Sequence, residues 1–261
     1  MVFQLGLVDY QDAWDLQERL AGEIAAGERP PTLLLLEHPH TFTFGRRGHT
    51  ENLLWDPAEL ARRGVATFWV DRGGDVTYHG PGQLVGYPLL PLAASGLRSA
   101  PANGSPRIPQ ADYVGYVRRL EQTLILALAS LEVAGRQVKG LTGVWVSAEN
   151  GRNPAKQPAQ FSGLSKIAAI GVKVDARGVS RHGFALNVNP DMSYWQGIHG
   201  CGLEGYPATS LAELLSEPPA MPAVIEAVAD AFSTVYGYEL VNEDFEASAA
   251  FSNQDQTAGQ V

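Results

Sequence analysis

Apolar residues recur along this chain in two rhythms. Helical spacing runs through Tyr10, Ala13, Leu20 and Ile24, with Asp9 placed to cap and Gly27 placed to stop the helix. The clearest helical stripe is Tyr113, Val117, Leu120, Leu124, Leu128 and Leu131, behind Asp112 as cap. Pro222 to Tyr236 repeats the pattern with Val224, Val228, Ala231 and Val235. Two shorter helices are marked by their ends: Asp56-Pro57 to Gly64, and the Ser210/Glu213 capping box. The second rhythm is that of strands. Leu33 to Glu37, Thr41 to Phe44, Ala66 to Asp71, Leu84 to Leu90 and Gly143 to Ser147 are short apolar runs. Ser165 to Val174 and Arg181 to Asn189 alternate, with Arg177-Gly178 between them as a hairpin turn. Ala93 to Pro109 and Glu149 to Gln160 read as loops, and residues 246–261 as a disordered tail after a single domain over 1–245. Strands and helices mix without regular alternation, which predicts an α+β fold.

The 261 residues are 45% apolar and 18% charged, enough for a substantial core. No apolar run approaches the roughly 20 residues that span a bilayer, and no secretory leader is visible at Met1 to Gly6, so a cytoplasmic protein away from membranes is expected. A net charge of −9 argues against a nucleic-acid partner. Arg46, Arg47, Arg62, Arg63 and Arg72 nevertheless cluster, either as a solvated surface or as a patch for an acidic partner. The single cysteine, Cys201, excludes an internal disulfide and multi-cysteine zinc sites. His38 and His40 flank Pro39 with no third ligand nearby, so no metal is expected.

Candidate chemistry concentrates at three places. The stretch Arg72-Gly73-Gly74-Asp75-Val76-Thr77-Tyr78-His79-Gly80-Pro81-Gly82-Gln83 lies between two strands. It is either a glycine-rich hairpin loop or a place where backbone closely approaches a ligand, with Arg72 able to fix an anion or a carbonyl. Its spacing is not that of a phosphate loop. Cys201, in His199-Gly200-Cys201-Gly202, is either an accessible nucleophile or a buried inert thiol. Lys166 opens a strand and, if that strand is regular, shares a face with Ala168, Ile170, Val172 and Val174. It is either a base made neutral by lost hydration or a snorkelling strand-end lysine. His79 and His182 compete for the base role; alternation places His182 with Phe184, Leu186 and Val188, as a core histidine would be.

The glycine-rich stretch resembles the signature of the lipoate-biosynthesis octanoyltransferases, also called lipoyl(octanoyl) transferases or the lipoate–protein ligase B family. That signature runs Arg-Gly-Gly-x-x-Thr-aromatic-His-Gly-Pro-Gly-Gln, and every fixed position is present. The likeness spans Leu33 to Leu211 and takes in Gly140 to Val146, Lys166-Ile167-Ala168-Ala169-Ile170-Gly171, and Ala185-Leu186-Asn187 ahead of the cysteine. It departs at Gly200, where proline is usual, and at Leu164-Ser165, where a basic residue is usual.

The resemblance implies the biotin/lipoate ligase-like fold, a mixed, mostly antiparallel sheet with packed helices in one domain. It implies a Cys201–Lys166 dyad, with the histidines in support and His38-Pro39 at the rim of the site. Arg72, Gly73, Gly74, Asp75, Val76, Thr77, Tyr78 and His79, with Ala169, Ile170, Gly171, Gly183, Phe184 and Ala185, are then expected to line an acyl tunnel. Octanoyl–acyl carrier protein is the expected donor. Lipoyl domains of 2-oxoacid dehydrogenase complexes and the glycine cleavage H protein are the expected acceptors, and no cofactor is needed. Two alternatives stay open: an ATP-dependent lipoate or biotin ligase of the same fold, and a non-catalytic module binding carrier protein or lipoyl domain.

Overall fold

The computed structural model describes residues 1–92, 112–147, 163–199 and 207–241. In chain order its elements are β1 (Val2–Leu7), α1 (Tyr10–Ala26), β2 (Thr32–Glu37), β3 (Thr41–Phe44), α2 (Pro57–Arg63), β4 (Ala66–Trp69), β5 (Val76–His79), β6 (Gln83–Leu89), α3 (Tyr113–Ser130), β7 (Gly135–Val138), β8 (Leu141–Ser147), β9 (Leu164–Val174), β10 (Ser180–Asn187), α4 (Leu211–Leu214) and α5 (Met221–Tyr236). Seven strands form one sheet in the order β1-β2-β6-β10-β9-β8-β7, and three form a second, β4-β3-β5. In the large sheet only β1 and β2 are parallel; every other neighbouring pair is antiparallel. This is the mixed, mostly antiparallel α+β architecture expected.

Burial explains why β2 is a continuous apolar run. Leu33 and Leu35 face α3 and α5, while Leu34 and Leu36 face α1. Each fully buried leucine contributes about 1.5–3 kcal/mol, so a one-residue slip would exchange both faces and is strongly opposed. β6 divides likewise, Leu84 to one side and Val85, Tyr87 and Leu89 to the other. The helix side is closed by Tyr116, Leu120, Leu124 and Leu128 of α3 with Val224, Val228 and Phe232 of α5.

Several elements differ from the pattern reading. Tyr113, in the first turn of α3, is exposed, and the buried stripe begins at Tyr116. On α5 it is Phe232 that is fully buried, and Val235 is only partly covered. The glycine-rich stretch is not one loop. Its centre, Val76-Thr77-Tyr78-His79, is β5, paired antiparallel with β3. Three of these four are good strand formers, but the glycines on both sides conceal them. β1 and β7 are edge strands, and β7, Gly135-Arg136-Gln137-Val138, has too few apolar positions to stand out. At α4, Ser210 Oγ accepts from Glu213 N at 3.3 Å as a capping residue should, while Thr209 Oγ1 donates to the Glu213 carboxylate at 2.9 Å. The sequence-predicted loops over 93–109 and 149–160, the tail 246–261 and Cys201 itself lie outside the described residues.

Candidate active site

β5 alternates between two environments. Val76 and Tyr78 are buried in a cluster with Phe42, Phe44 and Ile198 behind the small sheet. Thr77 and His79 point the other way, toward β9 and β10. There a slot of about 50 Å³ is lined by eleven of the fourteen sequence-predicted binding residues: Arg72, Gly74, Asp75, Thr77, His79, Ala169, Ile170, Gly171, Gly183, Phe184 and Ala185. Gly73, Val76 and Tyr78 do not line it. Gly73 donates its N–H to Val172 O at 3.0 Å, and the other two are turned away by the strand's period. At Gly171 a Cβ would meet Arg72 Cδ and Gly73 O at 3.0 Å each, so these neighbours would have to give way by a few tenths of an ångström. Arg72 is buried, and its guanidinium bonds within the protein: Nη1 donates to Gly73 O at 2.9 Å, Nη2 to Thr43 O at 2.6 Å and Thr43 Oγ1 at 2.9 Å. It ties the glycine-rich stretch to β3.

His79 and His38 are held by hydrogen bonds within the fold. Gln83 Nε2 donates to Tyr78 O and Asn187 Oδ1, so Gln83 Oε1 accepts from His79 Nδ1 at 2.8 Å. Nε2 of His79 then accepts the weaker contact from Thr43 Oγ1 at 3.4 Å. Burial, reinforced by His38 and Arg72, holds His79 well below the usual imidazole value. His38 does not stand at the rim of the site. It is buried, donating from Nδ1 to Val8 O and accepting at Nε2 from Tyr87 OH, both at 2.7 Å, and burial lowers it to about 4. His40 stacks on Tyr194 with ring centroids 3.9 Å apart.

His182 departs from the alternation that grouped it with Phe184, Leu186 and Val188. Its φ of +57° turns the ring to the α1 face, against Trp14 and Tyr87. Nε2 lies 2.7 Å from Asp71 Oδ1. An ionised carboxylate only accepts, so Nε2 carries the proton and Nδ1 is left as a buried lone pair without a partner among the described residues. Burial lowers the His182 pKa, and Asp71 opposes this. Asp71 also binds Lys173 and Arg181, and Arg181 reaches Glu18. Burial raises the Asp71 carboxyl, but these partners outweigh it and hold it well below its ordinary value. Nothing in the sequence marks Asp71 as this hub.

Lys166 does not share a face with Ala168, Ile170, Val172 and Val174. Val144 pairs with Ala168 but Trp145 pairs with Lys166, so β9 carries one extra residue there, a β-bulge. Ile167 and Ala168 therefore both enter the core below α3 and α5, and Lys166 is turned out beside Ala169 into a cavity of about 580 Å³. Its ammonium lies 4.7 Å from the ring centroid of buried Trp145. On β8, Gly143 faces the bulge at φ +111° and donates its N–H to Glu121 Oε1 at 3.0 Å. Glu121 is fully buried on α3 and paired with Arg118 at 2.6 Å. One charged residue inside the apolar stripe of α3 was the available sequence signal for this support.

The large cavity meets the small slot at Thr77, Ala169 and Ala185, which line both. Its wall includes His199 and Pro207, the described residues that flank 200–206. Both flanks are fixed. His199 N donates to Asn52 O at 2.8 Å; Lys166 N donates to Pro207 O and Thr209 N to Lys166 O, each at 2.9 Å. Asn187 Nδ2 adds a bond to Thr209 O at 2.9 Å, and Gln83 braces Asn187. The chain on both sides of the cysteine's segment is thus anchored where Lys166 opens.

Residues 9–233 match the lipoyl protein ligase A/B catalytic domain family. An octanoyltransferase of Chloroflexus aggregans is 42% identical over 241 residues, covering 92% of this chain and 96% of the relative. One of Chloroflexus aurantiacus is 44% identical over 238 residues, covering 91% and 94%. Among solved structures, the bipartite lipoate protein ligase from Thermoplasma acidophilum superposes with a TM-score of 0.67 at 15% identity, covering 95% of this chain and 89% of that one. A lipoate-protein ligase A bound with ATP gives 0.64 at 14% identity, covering 95% and 91%. The structural likenesses carry the fold; the sequence relatives carry the chemistry, octanoyl transfer in lipoylation. The chain belongs to the octanoyltransferases, acyltransferases of the lipoyl protein ligase A/B catalytic domain family.

Proposed function

We propose that this protein takes octanoyl from octanoyl–acyl carrier protein onto Cys201 as a thioester and passes it to a lysine of an apo lipoyl domain. The observation that carries this reading is the placement of Lys166: a bulge turns it into the cavity whose wall includes both flanks of the cysteine's segment. A cavity of 580 Å³ lies within the usual range of about 300–1,000 Å³ for small-molecule sites. The adjoining slot, of about 50 Å³, takes the acyl tail, and the thioester end reaches into the larger space.

In the first half-reaction Lys166 takes the Cys201 thiol proton, sulfur bonds to the donor carbonyl carbon, and the carrier's C–S bond breaks. The leaving phosphopantetheine thiolate receives the proton. In the second, the acceptor amine attacks the acyl-cysteine, Lys166 accepts the amine proton and the cysteine thiolate leaves, giving an octanoyl amide. Lipoyl domains of 2-oxoacid dehydrogenase complexes and the glycine cleavage H protein are the acceptors in this scheme, and neither ATP nor a metal takes part. The test supplies octanoyl carrier protein and apo lipoyl domain without nucleotide and reads octanoylated lipoyl domain by mass. Transfer from the thioester alone is expected; transfer that requires free octanoate and ATP would replace this reading with the ligase one.

A further inference from the structure

We propose that the Thr77 hydroxyl is the side-chain donor to the acyl carbonyl oxygen during transfer, an assignment that rests on the acyl-enzyme reading and adds to it a residue for the developing oxyanion. Thr77 occupies the second position of β5, and its neighbours Val76 and Tyr78 are packed into the opposite cluster. Its own side chain therefore faces the two cavities. Of the three described residues that line both, Ala169 and Ala185 are apolar and Thr77 is polar. Thr77 is 7% exposed, and its Oγ1 has no hydrogen-bond partner among the described residues. Leaving a buried hydroxyl unpaired costs about 1–3 kcal/mol, and buried polar groups are seldom left so. Two polar neighbours among the described residues are committed elsewhere: Thr43 Oγ1 to Arg72 and His79, Gln83 to His79, Tyr78 and Asn187.

The junction is where the substrate changes character. The methylenes belong in the narrow slot, while the thioester sulfur and its carrier belong in the large cavity beside Lys166. The carbonyl falls between them, at Thr77. When the cysteine sulfur bonds to the carbonyl carbon, the π pair moves onto oxygen, and the Thr77 O–H bond to that oxygen strengthens. Collapse re-forms the C=O bond, breaks the carrier's C–S bond, and the departing thiolate takes the proton from Lys166. The acceptor amine later raises the same oxygen to an oxyanion, so the hydroxyl serves both half-reactions.

The experiment compares Thr77→Val, which keeps the shape and removes the hydroxyl, with Thr77→Ser, which keeps the hydroxyl. Single-turnover acylation, deacylation and overall transfer are followed, with KM and melting temperature alongside. Loss of one oxyanion donor predicts a fall of about 100-fold in both half-reactions for Thr77→Val, with little change in KM and most of the rate restored in Thr77→Ser. The melting temperature of Thr77→Val should not drop, because the hydroxyl has no partner among the described residues. Wild-type rates in Thr77→Val, equal losses in both variants, or a lowered melting temperature in Thr77→Val would each overturn the proposal. The cysteine reading is judged separately, by whether wild type accumulates an octanoyl adduct. The Thr77 assignment is judged by the ratio of overall transfer rates, so either can fail alone.

Discussion

Replacing Gly143 with alanine tests whether the bulge in β9 is what aims Lys166. Gly143 has φ +111°, and a Cβ there would stand 2.5 Å from Ala168 O and 3.5 Å from Lys166 Cε. The left-handed conformation costs an L-residue about 1–2 kcal/mol, and forcing an extra methyl against backbone adds about 1–3 kcal/mol. The loss of stability should total about 2–5 kcal/mol, relieved in part by β8 and β9 moving apart at the bulge. Lys166 moves with them, and a 1 Å misplacement of a reacting group costs about 100-fold in rate. Gly140→Ala is the control. Gly140 also has a left-handed φ, +84°, but no atom of the described residues lies within 4 Å of its Cβ position. It should lose only about 1–2 kcal/mol and keep its kcat. Urea titrations give the two stabilities, and transfer from octanoyl carrier protein to a lipoyl domain gives the two rates. If Gly143→Ala turned over as fast as Gly140→Ala, the bulge would not be the device that positions the lysine.

Two further outcomes follow from the groups around the site. His38 falls from 6.5 unfolded to about 4 folded, so the unfolded chain binds the proton more tightly. The stability this contributes is complete above the unfolded value and is lost as pH falls toward 4. At about 1.36 kcal/mol per unit, denaturation at about pH 5 should show about 2 kcal/mol less stability than at about pH 7. His79 and His182 are lowered too and add in the same direction, so a pH-independent stability over that interval would contradict the buried neutral histidines. Asp71→Asn leaves Arg181, 4% exposed, with Glu18 as its remaining carboxylate. A loss of about 3 kcal/mol is expected, together with a raised KM for the acyl donor as His182 loses its anchor. A change below about 0.5 kcal/mol would place the hub among surface pairs of little consequence.

Much of this arrangement was legible in the sequence, because local signals and global fold agree. The caps Asp56 and Asp112, the stops Gly27 and Gly64, and the twofold-buried run Leu33 to Leu36 each act within a few residues. What escaped depends on register between strands. The extra residue in β9 redirects Lys166 away from Ala168, and the left-handed backbone at His182 redirects that ring away from Phe184; neither changes the spacing of residue types. β5 was hidden because the glycines that shape its ends mask its propensity. The partners that hold the site, Glu121, Asp71 and Gln83, lie between 22 and 111 positions from the groups they serve, as in Glu121 to Gly143, Asp71 to His182 and Gln83 to Asn187. No local pattern reports such pairs. The slot itself was legible because eleven of its residues sit in three short segments, 72–79, 169–171 and 183–185, that the family resemblance already groups.

The most direct test of the account is the intact mass of the protein after brief exposure to octanoyl–acyl carrier protein. Wild type should gain a single octanoyl group that an apo lipoyl domain then removes, and Cys201→Ala should gain none. An adduct of equal yield in Cys201→Ala, or undiminished transfer by that variant, would contradict the cysteine thioester at the centre of the mechanism.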